Sequence, residues 1–299
     1  MAQLRSLRKS EAFWFYLFIL PGLLGFLLFY FGPMLASLIF SFTKYDIVHK
    51  PTFIGLANYA KMFLDDPLVR KSLQVTTVWT IVGVPLRLLA QLMIAVLLNR
   101  AIRGMTFFRS LLYLPSIVAG VAMSLAWMFL LNSEYGLVNY VFWRLFHIQG
   151  PAWLYNTHWV IPAMLVMSFW GIGPGIVINL AGLQSIPREL YEAAELDGAT
   201  GFRKFLNVTL PMMSPILLFN LVNGIIGNFQ VFTQAYVMTN GGPNNASLFY
   251  MLYLYRNAYQ FLQMGYASAL AWLLFVIILI LTLLVFKSSP VWVFYQDRR

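Results

Sequence analysis

Long apolar runs alternate with short polar connections along the whole chain. Six runs stand out, at residues 13–41, 73–98, 110–131, 158–181, 213–238 and 263–286. Each can cross a bilayer, which takes about 20 residues of helix. Lipid leaves open backbone groups unsatisfied, so a span must be a helix or part of a closed barrel. No ten-residue alternating pattern marks a barrel strand. The pattern therefore predicts an all-α integral membrane protein with six transmembrane helices.

Polar residues between the runs set the expected connections. Residues 42–72, with "FIGLANYAKMFLDDP", read as an outer loop holding a short amphipathic surface helix with Asn58, Tyr59 and Phe63. Residues 99–109, "NRAIRGMTFFR", read as a tight basic inner turn. Residues 132–157 are rich in Trp and Tyr, which suits a water–lipid interface. The cluster "TNGGPNNAS" opens residues 239–262 and should stop the fifth helix as it leaves the membrane.

Composition agrees with the pattern: 60% of the 299 residues are hydrophobic and only 10% charged. A soluble domain carries about 25% charged residues. The net charge of +10 would suit nucleic acid, but its distribution points to a membrane. Twelve of the 20 basic residues fall on one side, among them Arg5, Arg100, Arg103, Arg109, Arg188, Arg298 and Arg299. The positive-inside rule then places both termini and residues 189–211 in the cytoplasm. The apolar stretch after the basic N-terminus is too long for the core of a cleaved signal, so it reads as a retained span. There is no cysteine, and His49, His147 and His158 lack metal-ligand spacing. Nucleic acid and metal are not expected partners.

The segment "ELYEAAELDGATGFRKFLNVTLP", residues 189–211, holds four of the ten carboxylates. Pro187 and Glu189 suit the start of a helix. Gly198 can take the left-handed conformation that ends it. Thr200 can cap a second short helix, "GFRKF", that stops before Leu210 and Pro211. Leu190, Ala193 and Ala194 share one helix face, while Arg188, Glu192 and Glu195 share the other. The alanines keep the apolar face low, so another backbone can approach it.

The spacing Glu192-Ala193-Ala194, Asp197-Gly198-Ala199, Val208, Leu210-Pro211 and Pro215 resembles the EAA signature of ABC importer permeases. The match is closest to binding-protein-dependent sugar permeases of the maltose type. "LLNRAIRGMTFFRSLLYLP" at 97–115 and "MTNGGPNNAS" at 238–247 also look like that carbohydrate-uptake group. The resemblance covers roughly residues 70–287. It implies a type I transmembrane domain there, with a coupling loop at about 185–212. An N-terminal part, residues 1–69, would hold the tail, first span and outer loop, and residues 288–299 a cytoplasmic tail.

By that resemblance Glu192, Ala193, Ala194, Asp197, Gly198, Leu210 and Pro211 are the ATPase-coupling residues. It implies a second homologous permease as a heterodimer partner, two ATPase subunits and an extracytoplasmic solute-binding protein. ATP and magnesium would sit on the ATPase subunits, with no cofactor in this chain. The maltose-system permease itself has extra spans and a large outer insertion that this chain lacks, which puts maltose as substrate in doubt.

The chain's own residues fit a transport subunit rather than an enzyme. It has no G-x-x-x-x-G-K-[ST] phosphate loop and no G-x-S-x-G elbow. An ion-coupled secondary transporter is the rival class, yet no carboxylate lies within a span.

The candidate pathway lies in the fifth span. On a helical wheel Asn220, Asn223, Gly227, Asn228, Gln230 and Gln234 share one face. Neutral amides beside glycines suit sugar hydroxyls, though they also pack helices together in membranes. In the fourth span Trp170 can offer a ring face to a sugar or serve packing, Gly171, Gly173, Pro174 and Gly175 loosen the helix, and Asn179 reads as structural. Arg87 lies about 18 Å along its helix from Asn99, by a rise of about 1.5 Å per residue. It suits an anionic solute such as a uronate or a glycerol phosphate, or carbonyl groups, or the sister subunit.

Overall fold

The computed structural model describes residues 2–99 and 104–294, and the side chains of 13–99 and 104–294. Arg100, Arg103, Arg298 and Arg299, part of the inner-side charge, lie outside the described residues. Helix dominates. The first span is α1 (Ala2–Phe26) and α2 (Gly32–Ser41), joined by a π turn. A two-residue hairpin, β1 (Thr43–Lys44) with β2 (Thr52–Phe53), and α3 (Ala57–Ala60) make the first loop. The second span is α4 (Pro67–Leu98). The third is α5 (Met105–Tyr113), a tight turn over Leu114–Ile117, and α6 (Gly120–Leu130).

An outer helix, α7 (Leu137–Phe146), follows, then α8 (Val160–Ser168) and α9 (Gly173–Ser185) for the fourth span. The interrupting segment holds α10 (Arg188–Leu196) and α11 (Gly201–Lys204). The fifth span contains α12 (Leu210–Phe229). The chain then passes through α13 (Tyr250–Tyr255) to α14 (Met264–Trp292), the sixth span.

Four continuous helical stretches are long and apolar enough to cross a membrane: Phe13–Ser41, Pro67–Leu98, Gly201–Phe229 and Met264–Trp292. The third and fourth spans are bent pairs, by 98° and 51°, so the count reaches six if each pair crosses once. The 51° bend falls between Gly171 and Gly173, where the glycines and Pro174 weaken the helix. The 98° bend follows Pro115, through extended Val118 and Ala119.

Two features depart from the sequence expectation. Thr200 makes no side-chain cap, and "GFRKF" does not stop before Leu210. The helix runs on through a π turn, Phe205–Thr209, into α12. Pro211 has no N–H to give the carbonyl of Asn207, and the wider turn just before it absorbs that lost bond. The fifth span also stops at Phe229, not at 238, and resumes as a separate helical piece ending in the π turn Ala235–Thr239. Residues 230–232 contain no proline or glycine to announce this break.

The described residues form two compact units, one of residues 2–65 with 254–273 and one of 66–253 with 274–294. The first unit ends at Asp65 and is joined by residues 254–273 from later in the chain. In that unit Trp272 Nε1 donates to Ser37 Oγ at 3.1 Å, and Lys61 Nζ lies 4.4 Å from the centroid of the Tyr266 ring.

The second unit is built around α4. Asp66 caps it through the Leu68 N–H at 3.0 Å and accepts from Tyr253 Oη at 2.5 Å. The hydroxyls of Ser72, Thr76 and Thr80 donate back to carbonyls one turn earlier, which keeps them satisfied in an apolar setting. α4 packs along its length against α9 and α12. Their shared core holds Leu92, Ala95, Ile176, Leu180, Leu183 and Met213.

Candidate functional site

Two places in the second unit carry the candidate residues. The first is the turn after α10. Its last residues are closed by two bonds, Gly198 N–H to Glu195 O and Ala199 N–H to Ala194 O, each 2.9 Å. With Gly198 at φ +74°, this is the Schellman closure that a left-handed residue makes possible. The left-handed glycine expected from the sequence is therefore present.

α10 has no buried residue. Glu192, Ala193 and Asp197 are exposed, and Ala194 is half-buried. The segment is nonetheless tied down. Lys204 Nζ donates to Glu195 Oε1 at 2.6 Å, and Tyr191 Oη meets Thr209 Oγ1 at 3.0 Å. Tyr191 and Leu210 also pack against the core shared by α4, α9 and α12, and Pro211 is half-buried at the start of α12. α10 is thereby connected to the spans by side-chain contacts as well as by the chain itself.

Two residues outside the sequence expectation stand out here. Leu196 is 90% exposed and Phe202 71% exposed, on either side of the turn. The alanine face suggested a low docking surface, while these two large apolar side chains beside it project outward. The signal was available in "ELDGATGF": apolar residues flanking a turn, where no described residue covers them.

The second place is an open cavity of about 410 Å³ between the second, third, fourth and fifth spans. Arg87 lines it together with Ser116, Ser168, Gly227, Asn228 and Gln234. Arg87 Nη1 donates to Ser168 Oγ at 2.8 Å, and Nη2 donates to Asn228 Oδ1. Its guanidinium carbon lies 5.3 Å from the Trp79 ring centroid. Room for the guanidinium comes from Gly83 one turn earlier, where a Cβ would sit 2.8 Å from Nη2.

The polar face read from the helical wheel divides three ways. Asn220 is buried and donates to Asn179 Oδ1 at 3.0 Å, so it joins α12 to α9 instead of facing the cavity. Asn223, Gly227 and Gln230 form an exposed stripe with Phe219. Asn228 and Gln234 turn inward to the cavity, but the break after Phe229 puts Gln234 on a different helical piece, so the single wheel does not hold there. Irregular backbone at membrane depth is tolerated where it lines a cavity, and Val231 and Gln234 do so. Trp170 is outside this cavity. It sits at the bend of the fourth span with its ring edge-on to Trp127, centroids 5.9 Å apart. Asn179 is fully buried, in keeping with a structural part.

Comparisons with known proteins cover most or all of the chain. The family model described as "Binding-protein-dependent transport system inner membrane component" matches residues 83–299. The chain is 42% identical over 301 aligned positions to the probable ABC transporter permease protein YesP of Bacillus subtilis (strain 168), covering 100% of this chain and 97% of that one. It is 34% identical over 282 positions to the arabinooligosaccharides transport system permease protein AraP of the same organism, covering 92% and 88%. Among solved structures, it resembles a chain of a bacterial ABC transporter involved in the import of the acidic polysaccharide alginate. There the TM-score is 0.82 at 22% identity, covering 96% of this chain and 98% of the other.

Proposed function

This chain belongs to the family of binding-protein-dependent transport system inner membrane components, and from that premise we propose how its two candidate places work together in importing a sugar or oligosaccharide. It is an ABC importer permease with the type I fold, a multi-pass protein of the cytoplasmic membrane. The relatives it matches are transport subunits, so its work is translocation and not catalysis. The sugar reading rests on the carbohydrate-uptake motifs and on the relative that serves arabinooligosaccharides.

The observation that carries the mechanism is α10. It is a helix with no buried residue, with Leu196 and Phe202 projecting beside it, yet it is joined to the spans through Tyr191 and the Lys204–Glu195 pair. Such an element fits a socket on another polypeptide and transmits rigid-body motion. In this reading two ATPase subunits bind ATP and magnesium. A second permease, homologous to this one, completes the translocation unit, and a solute-binding protein delivers solute from outside. ATP closes the ATPase pair, the coupling helices move with it, and the spans open outward. Solute passes along the exposed stripe of α12 and through the cavity beside it. Glu192, Ala193, Ala194, Asp197 and Gly198 make the coupling helix and its stop, and Leu210 and Pro211 join it to α12.

The test is uptake in vesicles holding the whole complex. Transport should require ATP and survive collapse of the proton gradient by an ionophore. Loss with the gradient and indifference to ATP would replace this reading with a secondary transporter. In the same assay Asn223→Leu and Gln230→Leu should each weaken apparent affinity about fivefold, the equivalent of about 1 kcal/mol per lost hydrogen bond. Wild-type affinity in both would make the exposed stripe a packing or lipid-facing surface.

Orientation follows from the same reading. α10 and both termini are cytoplasmic, supported by the charge bias and by the Phe294 N–H, which donates to Ser214 Oγ near the start of α12 at 2.8 Å. The loop of residues 132–157 is outside. In this cysteine-free chain an impermeant thiol reagent applied to intact cells should label Glu134→Cys and spare Thr200→Cys, both exposed positions. Labelling of position 200 from outside would reverse the topology.

A further inference from the structure

Arg87 brings a charge into the pathway that neutral sugar chemistry does not need. Its two hydrogen-bond acceptors, Ser168 Oγ and Asn228 Oδ1, are both neutral. Each acceptor is itself held in place: Ser168 Oγ donates to Leu165 O and Asn228 Nδ2 donates to Gly224 O, both at 2.6 Å. The site is thus built to hold the guanidinium at the cavity wall without neutralising it.

Among the described residues of this chain, no carboxylate is hydrogen-bonded to Arg87. Neither the ion pair of His49 with Asp46 nor that of Lys204 with Glu195 involves Arg87. The sequence contains no Asp or Glu between 67 and 133, between 135 and 188, or between 198 and 296. A guanidinium has five N–H donors, and two are engaged here. A charge away from bulk water with no counter-charge is costly and marks function when it persists in a span.

We propose that the Arg87 cavity selects a saccharide bearing a single negative charge, a uronate, whose carboxylate pairs with the free edge of the guanidinium. The proposal rests on the sugar-importer reading and specifies its substrate class. Guanidinium and carboxylate match in shape and charge, and that fit favours a carboxylate. A phosphate monoester carries about −1.5 to −2 and would leave excess charge, because Arg87 is the one cationic residue inside the expected spans. Neutral groups at Ser116 and Gln234 remain for ring hydroxyls.

The test uses the permease purified with its partner subunits and without the solute-binding protein, so that the latter's own preference does not enter. Binding of a trisaccharide whose only charged group is one uronate carboxylate is titrated calorimetrically against the same trisaccharide with that carboxyl methyl-esterified. The wild type should bind the charged form at least tenfold more tightly, with the preference shrinking as salt rises. Arg87→Gln should lose that preference while keeping its affinity for the ester, and Arg87→Lys should keep part of it. Equal affinity for both forms in the wild type, or an unchanged preference in Arg87→Gln, would overturn the proposal. So would tighter binding of a sugar phosphate than of the uronide. If Arg87→Gln fails to assemble, the wild-type comparison still decides. ATP-driven uptake of a neutral oligosaccharide without charge preference would remove this inference and leave the sugar-importer reading standing. Binding of no sugar at all would remove both.

Discussion

Gly198→Val should insert into the membrane normally and lose most ATP-coupled uptake. Gly198 sits at φ +74° with open space around its Cα, so a side chain would meet no neighbour. The cost lies in the backbone. A β-branched residue in the left-handed region is strained by roughly 1–2 kcal/mol. The chain can relieve that strain only by opening the closure made by Gly198 N–H and Ala199 N–H, which frees the end of α10. Leu196 and Phe202 would then no longer be presented at a fixed spacing. Leu196→Asp should reach the same phenotype by another route, because it leaves the turn intact and places a charge where an apolar partner surface is expected. Glu192→Lys, which inverts charge on the exposed face, should weaken subunit binding less. Purified complexes are assayed for bound ATPase subunit and for uptake. Wild-type subunit content with wild-type uptake in all three would show that α10 is not the coupling element.

The contrast between the two candidate places shows what a sequence can carry. Around α10 the relevant facts are local. A helix, its left-handed stop and its exposed carboxylates all lie within about ten residues, so spacing alone described them. The pairing of Tyr191 with Thr209 spans 18 residues and was not legible. The cavity is assembled from four spans, and its polar groups come together only through packing. Asn220 and Asn228 share a helix face on a wheel, yet one is consumed by Asn179 and the other by Arg87. The break after Phe229 could not be read because no residue at 230–232 forbids helix. Tertiary context there overrides a propensity that would have continued the span to 238. Arg87 was visible as an oddity, a lone charge deep in an apolar run, but its neutral partners belong to the fourth and fifth spans.

Gly173→Val should destabilise the assembled protein, because the clash it makes is with backbone. The sequence suggested that the glycines at 171, 173 and 175 loosen the helix, and the bend between Gly171 and Gly173 agrees. Gly173 has a second task. A Cβ built there would lie 2.8 Å from the Leu112 carbonyl oxygen and 3.0 Å from Tyr113 Cα. These are backbone atoms, which cannot rotate aside as a side chain can. Valine therefore forces the start of α9 away from the end of α5. The displacement would be carried into Ile176, Leu180 and Leu183, which hold α9 in the common core with α4 and α12. Overpacking of this kind costs about 1–3 kcal/mol. At about 2–4 °C per kcal/mol for a chain of this size, the melting temperature of the purified complex should fall by several degrees. Gly171→Ala is the control, since a Cβ there meets nothing within 4 Å, and its melting temperature should match the wild type. Equal melting of Gly173→Val and the wild type would mean that the third and fourth spans do not approach this closely, and the cavity walls would have to be redrawn.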